Sequence, residues 1–193
     1  MNEADHDTQP ESAIASLCEE LESYRRAHPQ EAAIVDRFLR LLQDGRPAFS
    51  REHLPGHVTA SAVVLSHALD RVLLTHHRKL DIWIQLGGHT DGDTDLLRAA
   101  GREAYEESGI QDLRVGSRSI ADIDIHGIPA HGREPAHEHY DVRYAFLADP
   151  AAPLVVSDES HDLAWVQISR LEHYSQEASL HRAVSKAVAL LRV

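Results

Sequence analysis

The chain has 193 residues, of which 42% are hydrophobic and 26% are charged. This composition is typical of a folded globular protein and excludes the disordered and fibrous classes. The formal net charge is −12, which disfavours general binding to nucleic-acid backbones or anionic membranes, because such binding depends on lysine and arginine. An anionic substrate would therefore need a local source of positive charge, such as a bound metal ion.

The single cysteine, Cys18, excludes an intrachain disulfide, a zinc ribbon and a Cys-X-X-Cys redox motif. The first seven residues are acidic where a signal peptide is basic, and no apolar run approaches the roughly 18 residues that a membrane span requires. We therefore expect a soluble protein of the cytoplasm, with no membrane partner.

The pattern of residues 1–50 predicts a helical extension. Its first ten residues are polar, and we expect them to be frayed. Two helices are indicated, with a break at His28-Pro29 and an end at Gly45, because proline cannot continue a helix and glycine favours its terminus. A domain boundary is expected near residue 50, with the main domain over 51–193. The apolar residues that recur at helical spacing are Ile14, Leu17, Cys18, Leu21, Ile34, Phe38, Leu41 and Leu42.

The main domain alternates strand and helix patterns, which indicates the α/β class. A glycine-rich loop over 87–93 leads into a helix at about 94–108, and a closing amphipathic helix is expected over 177–191. Strands are predicted over His57–Ser66 and Arg71–Thr75 as an antiparallel pair, over Ile82–Leu86, and near 112–125, 139–148 and 162–167.

Three carboxylates share one face of the predicted helix, because Glu103, Glu106 and Glu107 recur at helical spacing. Glu103 and Glu107 form a like-charge pair that is unfavourable unless a cation lies between them. Arg102 can reach Glu106 but cannot serve all three. A hard divalent ion resolves the conflict, since Mg²⁺ prefers carboxylate and water oxygens and leaves positions for substrate phosphates.

The preceding loop adds glycines where the backbone must approach closely, so the carbonyl of Gly88 is a candidate fourth ligand. A calcium-binding EF-hand also begins with aspartates spaced like Asp91, Asp93 and Asp95. That motif is excluded, because Leu96 stands where it needs glycine and Arg102 stands where it needs a bidentate glutamate.

Gly88 and the run Arg102–Ile110, with the sequence REAYEESGI, closely resemble the signature of the Nudix hydrolase family. Thr94 is the one fixed position that differs, since the family has a glutamate there that supports the loop. Asp93 or Asp95 is a candidate substitute, and Thr94 alternatively caps the helix.

The resemblance implies a Nudix-type α/β/α sandwich with a mixed sheet, preceded by the helical extension. It also implies a pyrophosphohydrolase that uses Mg²⁺ or Mn²⁺ to cleave a phosphoanhydride bond. By that likeness Glu106 and Glu107 are the main metal ligands, Glu103 is a ligand or the base that activates water, Gly88 offers its carbonyl, and Arg102 orients the glutamates. The implied partner is a small diphosphate, such as a nucleoside diphosphate linked to another moiety.

Family members often use one more acid from a distant loop, for which Glu159 is the candidate here, with Asp158 beside it. Other residues are candidates for the substrate: Arg78 for a phosphate, and Trp83, Tyr140 and Tyr144 for stacking on a base.

The segment 137–144, if a strand, places His137, His139, Asp141 and Arg143 on one face that can contact substrate. His57 and His89 are expected near the same site. Whether any of these histidines binds Zn²⁺ or Mn²⁺ is left open by the sequence, since histidines are more often only hydrogen-bonded.

Two other functions remain open at this point. An isomerase resembling the isopentenyl diphosphate isomerase branch is disfavoured because the thiol it uses has no counterpart at Gly87 or Gly88. A nucleotide-sensing module without turnover is the second, since fold does not determine function. The helical extension is equally consistent with a homodimer contact, a lid or a cover for the sheet.

Overall fold

A computed structural model describes residues 8–132 and 135–192, and within these ranges the chain forms four α-helices and eight β-strands. The helices are α1 (Thr8–Ala27), α2 (Ala32–Leu41), α3 (Leu96–Ser108) and α4 (Ala178–Leu191). The strands are β1 (Gly56–Ser66), β2 (Arg71–His77), β3 (Ile82–Ile84), β4 (Leu86–His89), β5 (Arg114–Val115), β6 (Asp122–Ile128), β7 (His137–Ala148) and β8 (Ser160–Gln167).

All eight strands belong to one sheet. Its main path is β3-β2-β1-β7-β5, while β4 pairs with β1, β6 pairs with β7, and β8 pairs with β2. Strands β1 and β2 are antiparallel with Leu65 opposite Val72, which confirms the pairing predicted across the short connection after Ser66. The predicted α/β fold, with a mixed sheet and an N-terminal helical region, is confirmed.

The glycine-rich segment differs from its prediction. The single strand expected over Ile82–Leu86 is two strands, β3 and β4, and β4 continues to His89. The first residues of the predicted loop are therefore extended. The reason is a close approach of two backbones: a Cβ placed on Gly87 would lie 2.6 Å from the Cα of Ser61 on β1, so only glycine lets the strands come this near.

The chain divides into two compact units by its internal contacts. The first unit comprises Met1–Thr59, His89–Leu96 and Ile123–Asp141, and the second comprises Ala60–Gly88, Leu97–Asp122 and Val142–Val193. The predicted boundary near residue 50 stays a prediction.

In the first unit, α1 and α2 form the predicted pair of helices and the break falls at His28-Pro29. The predicted fraying of residues 1–10 falls largely on 1–7, outside the described residues, and α1 begins at Thr8. The apolar residues of the pair that are buried include Leu17, Leu21, Val35, Phe38 and Leu41.

The second helix of this pair contacts the beginning of β7. Phe38 packs edge-on against Tyr140 with ring centroids 5.3 Å apart, and Arg37 forms a 2.6 Å ion pair with Glu138. The apolar stripe of the extension therefore covers part of the sheet, which favours the cover among the three roles that the sequence left open.

The core of the second unit lies between α4 and the sheet. The inward positions predicted for α4 hold, since Leu180, Val184 and Ala187 are buried, and Val188 and Leu191 pack against them. Their partners on the strands are mostly β-branched or leucine side chains, namely Val63, Leu65, Val72, Leu74 and Val166. No helix of the described residues is long and apolar enough to cross a membrane.

Candidate metal-binding active site

Helix α3 presents the predicted acidic face from a well-packed base. Its opposite side buries Ala99, Ala100 and Ala104, and a Cβ on Gly101 would already touch the ring of Phe146 at 3.4 Å. Small residues thus let the helix lie close to the sheet. The acidic face is held in place by this contact, since the helix has little room to rotate.

Arg102 bridges two of the three glutamates. Its Nη1 lies 2.7 Å from Oε1 of Glu103 and 3.2 Å from Oε2 of Glu106. The predicted pairing of Arg102 with Glu106 is present, and the additional contact to Glu103 comes from the same guanidinium. This arrangement fits the predicted orienting role, because one planar cation fixes the direction of two carboxylates.

Glu107 is the buried member of the set, with only 5% of its surface exposed. The backbone N–H of Gly87 donates a 2.8 Å hydrogen bond to its Oε2. Burial, together with the negative charges of Glu103 and Glu159, raises the pKa of Glu107 to about 8, and the Gly87 hydrogen bond opposes this only in part. Within the described residues no lysine or arginine forms an ion pair with Glu107.

Gly88 lies directly against Glu103. A Cβ at this position would be 2.5 Å from the Oε2 atom of Glu103, so a larger residue would displace that carboxylate. The requirement for glycine therefore has a steric cause in the site itself, and the predicted use of the Gly88 carbonyl as a ligand stays a prediction.

Glu159 precedes β8 in an exposed loop, and its charge acts on Glu107. The loop is attached through Arg78, whose backbone N–H donates to the carbonyl of Glu159 at 2.9 Å and whose Nη2 donates to the carbonyl of Ser160 at 2.9 Å. The fold thus brings the predicted distant acid toward the helix. The guanidinium of Arg78 helps to hold this loop, and its predicted phosphate contact stays a prediction.

The loop between β4 and α3 is anchored by the end of the helical extension. The backbone carbonyl of Phe49 accepts from Oγ1 of Thr90 at 2.8 Å and from the N–H of Gly92 at 2.9 Å. Arg51 forms a 2.6 Å ion pair with Asp91. These contacts join residues 49–51 to the loop that contains Thr94. The sequence did not indicate them, because no local pattern links the two segments.

The helix begins at Leu96, so Asp95 and not Thr94 directly precedes it. Oδ1 of Asp93 accepts from the N–H of Asp95 at 2.9 Å, and both carboxylates lie near the positive end of the helix dipole. This hydrogen bond is consistent with the predicted use of Asp93 or Asp95 in the loop, which stays a prediction.

Five histidine rings pack together in the first unit, from four strands. The exposed one, His126 on β6, has its ring centroid 5.4 Å from that of His139. His57 on β1 lies with its ring centroid 5.0 Å from His137, 4.9 Å from His139 and 5.2 Å from His89. Nε2 of His137 is 3.2 Å from Nε2 of His139. Burial, followed by the neighbouring rings of His57 and His89, lowers the pKa of His139 to about 2, so the ring is neutral at physiological pH.

Arg143, predicted to contact substrate, is 2% exposed and lies in an ionic network. Its Nη1 is 3.2 Å from Oδ2 of Asp122 and donates to the carbonyl of Ser179 at 3.0 Å. Asp122 is also held by Arg182 at 3.0 Å and by Lys186 at 2.9 Å. This environment favours a structural role for Arg143, because a buried guanidinium is stabilised by partners of its own chain.

The aromatic side chains predicted to stack on a base pack against other residues of the chain. The ring of Tyr140 packs against Phe38 and lies 5.6 Å below the guanidinium carbon of Arg37. Tyr144 is buried in the core, and Trp83 stacks on His76 at 5.0 Å. The predicted contact of Tyr140 with substrate is not tested by these packing contacts and stays a prediction.

The carboxylates fit a divalent cation. Glu107 accepts from the N–H of Gly87 and Glu103 lies against Gly88. Glu106 shares Arg102 with Glu103, and the charge of Glu159 adds to the local negative potential. A hard cation would satisfy this set, because oxygen ligands with several negative charges are what Mg²⁺ and Mn²⁺ prefer.

Comparison with known proteins gives the family and the fold. The family model for the NUDIX domain matches residues 55–188. A search of curated protein sequences gives no match. Among solved structures, the dihydroneopterin triphosphate pyrophosphohydrolase of E. coli is 18% identical with a TM-score of 0.56, over 69% of this chain and 95% of that one.

Two further structures have similar scores. The Ap4A hydrolase of C. elegans is 20% identical with a TM-score of 0.50, over 70% of this chain and 97% of that one. The NUDIX domain of NrtR from Shewanella oneidensis, in complex with ADP ribose, is 17% identical with a TM-score of 0.50, over 69% and 87%. At these identities the structures show a shared fold. Since the family model spans most of the chain, the protein belongs to the NUDIX domain family.

Proposed function

We propose that this protein is a divalent-metal-dependent hydrolase that cleaves a phosphoanhydride bond in a nucleoside diphosphate linked to another moiety, or in a related small diphosphate. The observation that carries the proposal is the burial of Glu107 beside two further carboxylates, with a pKa raised to about 8. Among the described residues no lysine or arginine is paired with this carboxylate, so it is suited to bind a cation from solution.

Glu103, Glu106 and Glu107, with the carbonyl of Gly88 and the carboxylate of Glu159, are the groups that would hold Mg²⁺ or Mn²⁺. When bound, such an ion neutralises diphosphate charge, polarises the phosphorus that is attacked and lowers the pKa of water. The chain has a net charge of −12, so the bound ion would supply the local positive charge that an anionic substrate needs.

The chain's own residues orient this site. Arg102 holds Glu103 and Glu106 in one direction, and the N–H of Gly87 fixes one oxygen of Glu107. Glu103, at 14% side-chain exposure, is half-buried and lies against Gly88, so it is the candidate to accept a proton from the attacking water. Glu106 is exposed and faces the solvent from which substrate arrives.

The names of the structurally similar proteins support the substrate class. They refer to Ap4A, dihydroneopterin triphosphate and ADP ribose, and each of these compounds contains a phosphoanhydride linkage. We extend only this shared linkage to the present chain. We also propose a cytoplasmic enzyme, since a single cysteine suits a reducing compartment.

The test is a panel of nucleotide sugars, dinucleotides, nucleoside triphosphates and capped RNA, each incubated with Mg²⁺ and separately with Mn²⁺. Products are identified by mass spectrometry in H₂¹⁸O, which shows the bond that water attacks. We expect metal-dependent cleavage between two phosphorus atoms in at least one class of compound, and its loss in Glu106→Gln.

Three results would contradict the proposal. Tight metal-dependent binding without turnover on every compound would indicate the sensing module. Conversion of isopentenyl diphosphate to dimethylallyl diphosphate would indicate the isomerase, although the only thiol of the chain, Cys18, lies in α1. Full hydrolysis by a folded Glu106→Gln variant would show that another site does the chemistry.

A further inference from the structure

The histidine cluster of the first unit is a second concentration of possible ligands, and hydrolysis as proposed above does not use it. His57 is completely buried, His137 is 5% exposed and His139 is half-buried. One ring nitrogen from each of these three residues lies within 4.8 Å of the other two. Three imidazoles this close within one unit, two of them buried and one half-buried, form a pre-assembled set of nitrogen donors.

The distances suit a tetrahedral ion. Tetrahedral zinc with Zn–N bonds of about 2.0–2.1 Å separates two ligand nitrogens by about 3.3–3.4 Å. The Nε2 atoms of His137 and His139 are 3.2 Å apart, which is close to one edge of such a tetrahedron. The third nitrogen, from His57, lies within 4.8 Å of both, so the three donors already surround one small volume.

Backbone carbonyls orient two of the rings in the way that metal-bound histidines require. Nδ1 of His137 lies 2.9 Å from the carbonyl oxygen of Pro135, and Nδ1 of His57 lies 3.4 Å from that of His53. An Nδ1–H that donates to a carbonyl leaves the lone pair on Nε2, which fixes the tautomer that binds metal. Burial favours the neutral ring as well, since it disfavours imidazolium.

We propose that His57, His137 and His139 form a second metal site that binds a transition-metal ion such as Zn²⁺ through three imidazole nitrogens. Imidazole suits Zn²⁺ far better than Mg²⁺, whereas the glutamates of α3 have the opposite preference. Three protein ligands leave the fourth tetrahedral position to water or to a further ligand. The ring of His89 packs against His57 and His139 beside these three ligands.

The experiment uses the full chain without an affinity tag, in the background Glu106→Gln, Glu107→Gln, so that the carboxylate site does not contribute. Zn²⁺ affinity is measured by competition with a chromophoric chelator, and metal content is measured by mass spectrometry after dialysis. We expect one retained equivalent of Zn²⁺. His139→Gln is expected to weaken binding by more than about 100-fold, beyond the 10–100-fold cost of losing an outer-shell partner.

His67→Gln is the matched control, since this histidine is exposed and lies outside the cluster. It should bind Zn²⁺ like the background protein. His137→Gln repeats the test at a second ligand, and thermal melts show that each variant is folded. Equal Zn²⁺ affinity in folded His139→Gln and His67→Gln would overturn the proposal, as would a background protein that retains no Zn²⁺.

The visible absorption of bound Co²⁺ reports the geometry and type of the ligands, and this experiment leaves the three histidines unchanged. A tetrahedral Co²⁺ ion with nitrogen donors absorbs strongly in the visible range, and a six-coordinate aqueous-type ion absorbs weakly. We expect strong absorption that saturates at one equivalent and is displaced by Zn²⁺. A weak six-coordinate spectrum in the folded background protein would overturn the proposal whatever the variants do.

Discussion

Glu107 and Asp122 are two buried carboxylates of the second unit with opposite electrostatic surroundings. Asp122 is fully buried, and Arg143, Arg182 and Lys186 surround it with three positive charges. Glu107 is 5% exposed, accepts one backbone hydrogen bond, and has the negative charges of Glu103 and Glu159 nearby. Burial is alike in the two cases, and the source of the compensating charge differs.

This difference separates a structural carboxylate from a functional one. An ionised group that is buried is stable only when it is paired and hydrogen-bonded, and the residues around Asp122 provide both. At Glu107 the chain accumulates negative charge and raises the pKa instead, which is the behaviour expected where an external cation or a proton completes the site. The comparison can be tested by neutralising each carboxylate in turn.

The largest expected effect is the loss of hydrolysis on neutralising the glutamates of α3. Glu106→Gln and Glu107→Gln should each lower kcat/KM by more than the roughly 10–100-fold that loss of an outer-shell partner costs, because each removes a predicted metal ligand. Steady-state kinetics with a substrate from the panel checks this. Glu172→Gln makes the same change at an exposed position of the same unit and should have wild-type activity. Retained activity in folded Glu107→Gln would contradict the functional role of Glu107.

The next effect is on folding, at Asp122. Asp122→Asn should lower the free energy of unfolding by about 3–5 kcal/mol, because it leaves buried cations without their partner. Urea denaturation followed by circular dichroism measures the change. The exposed Asp158→Asn is the control and should remain within about 0.5 kcal/mol of wild type; an Asp122→Asn variant as stable as this control would contradict the structural role.

In the metal-free protein, neutralising Glu107 should raise stability at alkaline pH, whereas neutralising Asp122 lowers it. Its pKa is raised from 4.5 to about 8 on folding, so the folded state holds a proton that the unfolded state has lost. The stability of the wild type in EDTA should therefore decrease as pH rises from about 4.5 through 8.

Glu107→Gln removes this contribution, because a neutral amide cannot ionise. Thermal melts in EDTA at several pH values should show a flatter pH dependence for the variant and a higher Tm than wild type above pH 8. Added Mg²⁺ should raise the Tm of the wild type at alkaline pH and leave the Tm of the variant unchanged. The same pH dependence in both proteins would show that Glu107 is not the responsible group.

The smallest effect is expected at Glu159. Glu159→Gln should lower hydrolysis less than Glu106→Gln does, since Glu159 is exposed and adds charge to the site from a loop. It should also lower the pKa of Glu107 in the metal-free protein, because one of the nearby negative charges is removed. Kinetics and the pH melts measure the two changes, with Asp158→Asn beside it as control; an equal effect of both substitutions would argue against a specific role for Glu159.

The site was predictable where its chemistry is local. Spacing along one helix places Glu103, Glu106 and Glu107 on one face and lets Arg102 reach Glu106, and the structure has that contact at 3.2 Å. The strand pattern likewise placed His137 and His139 on one side of β7. These inferences hold because helix and strand periods depend only on backbone geometry.

Contacts between distant segments could not be predicted in this way. Nothing near Thr90 indicates that its hydroxyl donates to the carbonyl of Phe49, and nothing near Arg143 indicates that Asp122 neutralises it. The alternating polar residues of its strand predict a substrate contact for Arg143, which stays a prediction, and the structure adds that the side chain is buried and paired with Asp122. Burial is decided by what packs above the strand, which the strand's own residues do not encode.

The sequence by itself determined the family, the acidic face of α3 and the need for glycine before it, because these depend on spacing within a short segment. Only the tertiary structure decided that Glu107 is buried, that the charge of Glu159 reaches it, and that His57 meets His137 and His139. The physical reason is that charge and burial act through space, and the pairing of strands brings together residues that lie far apart in the chain.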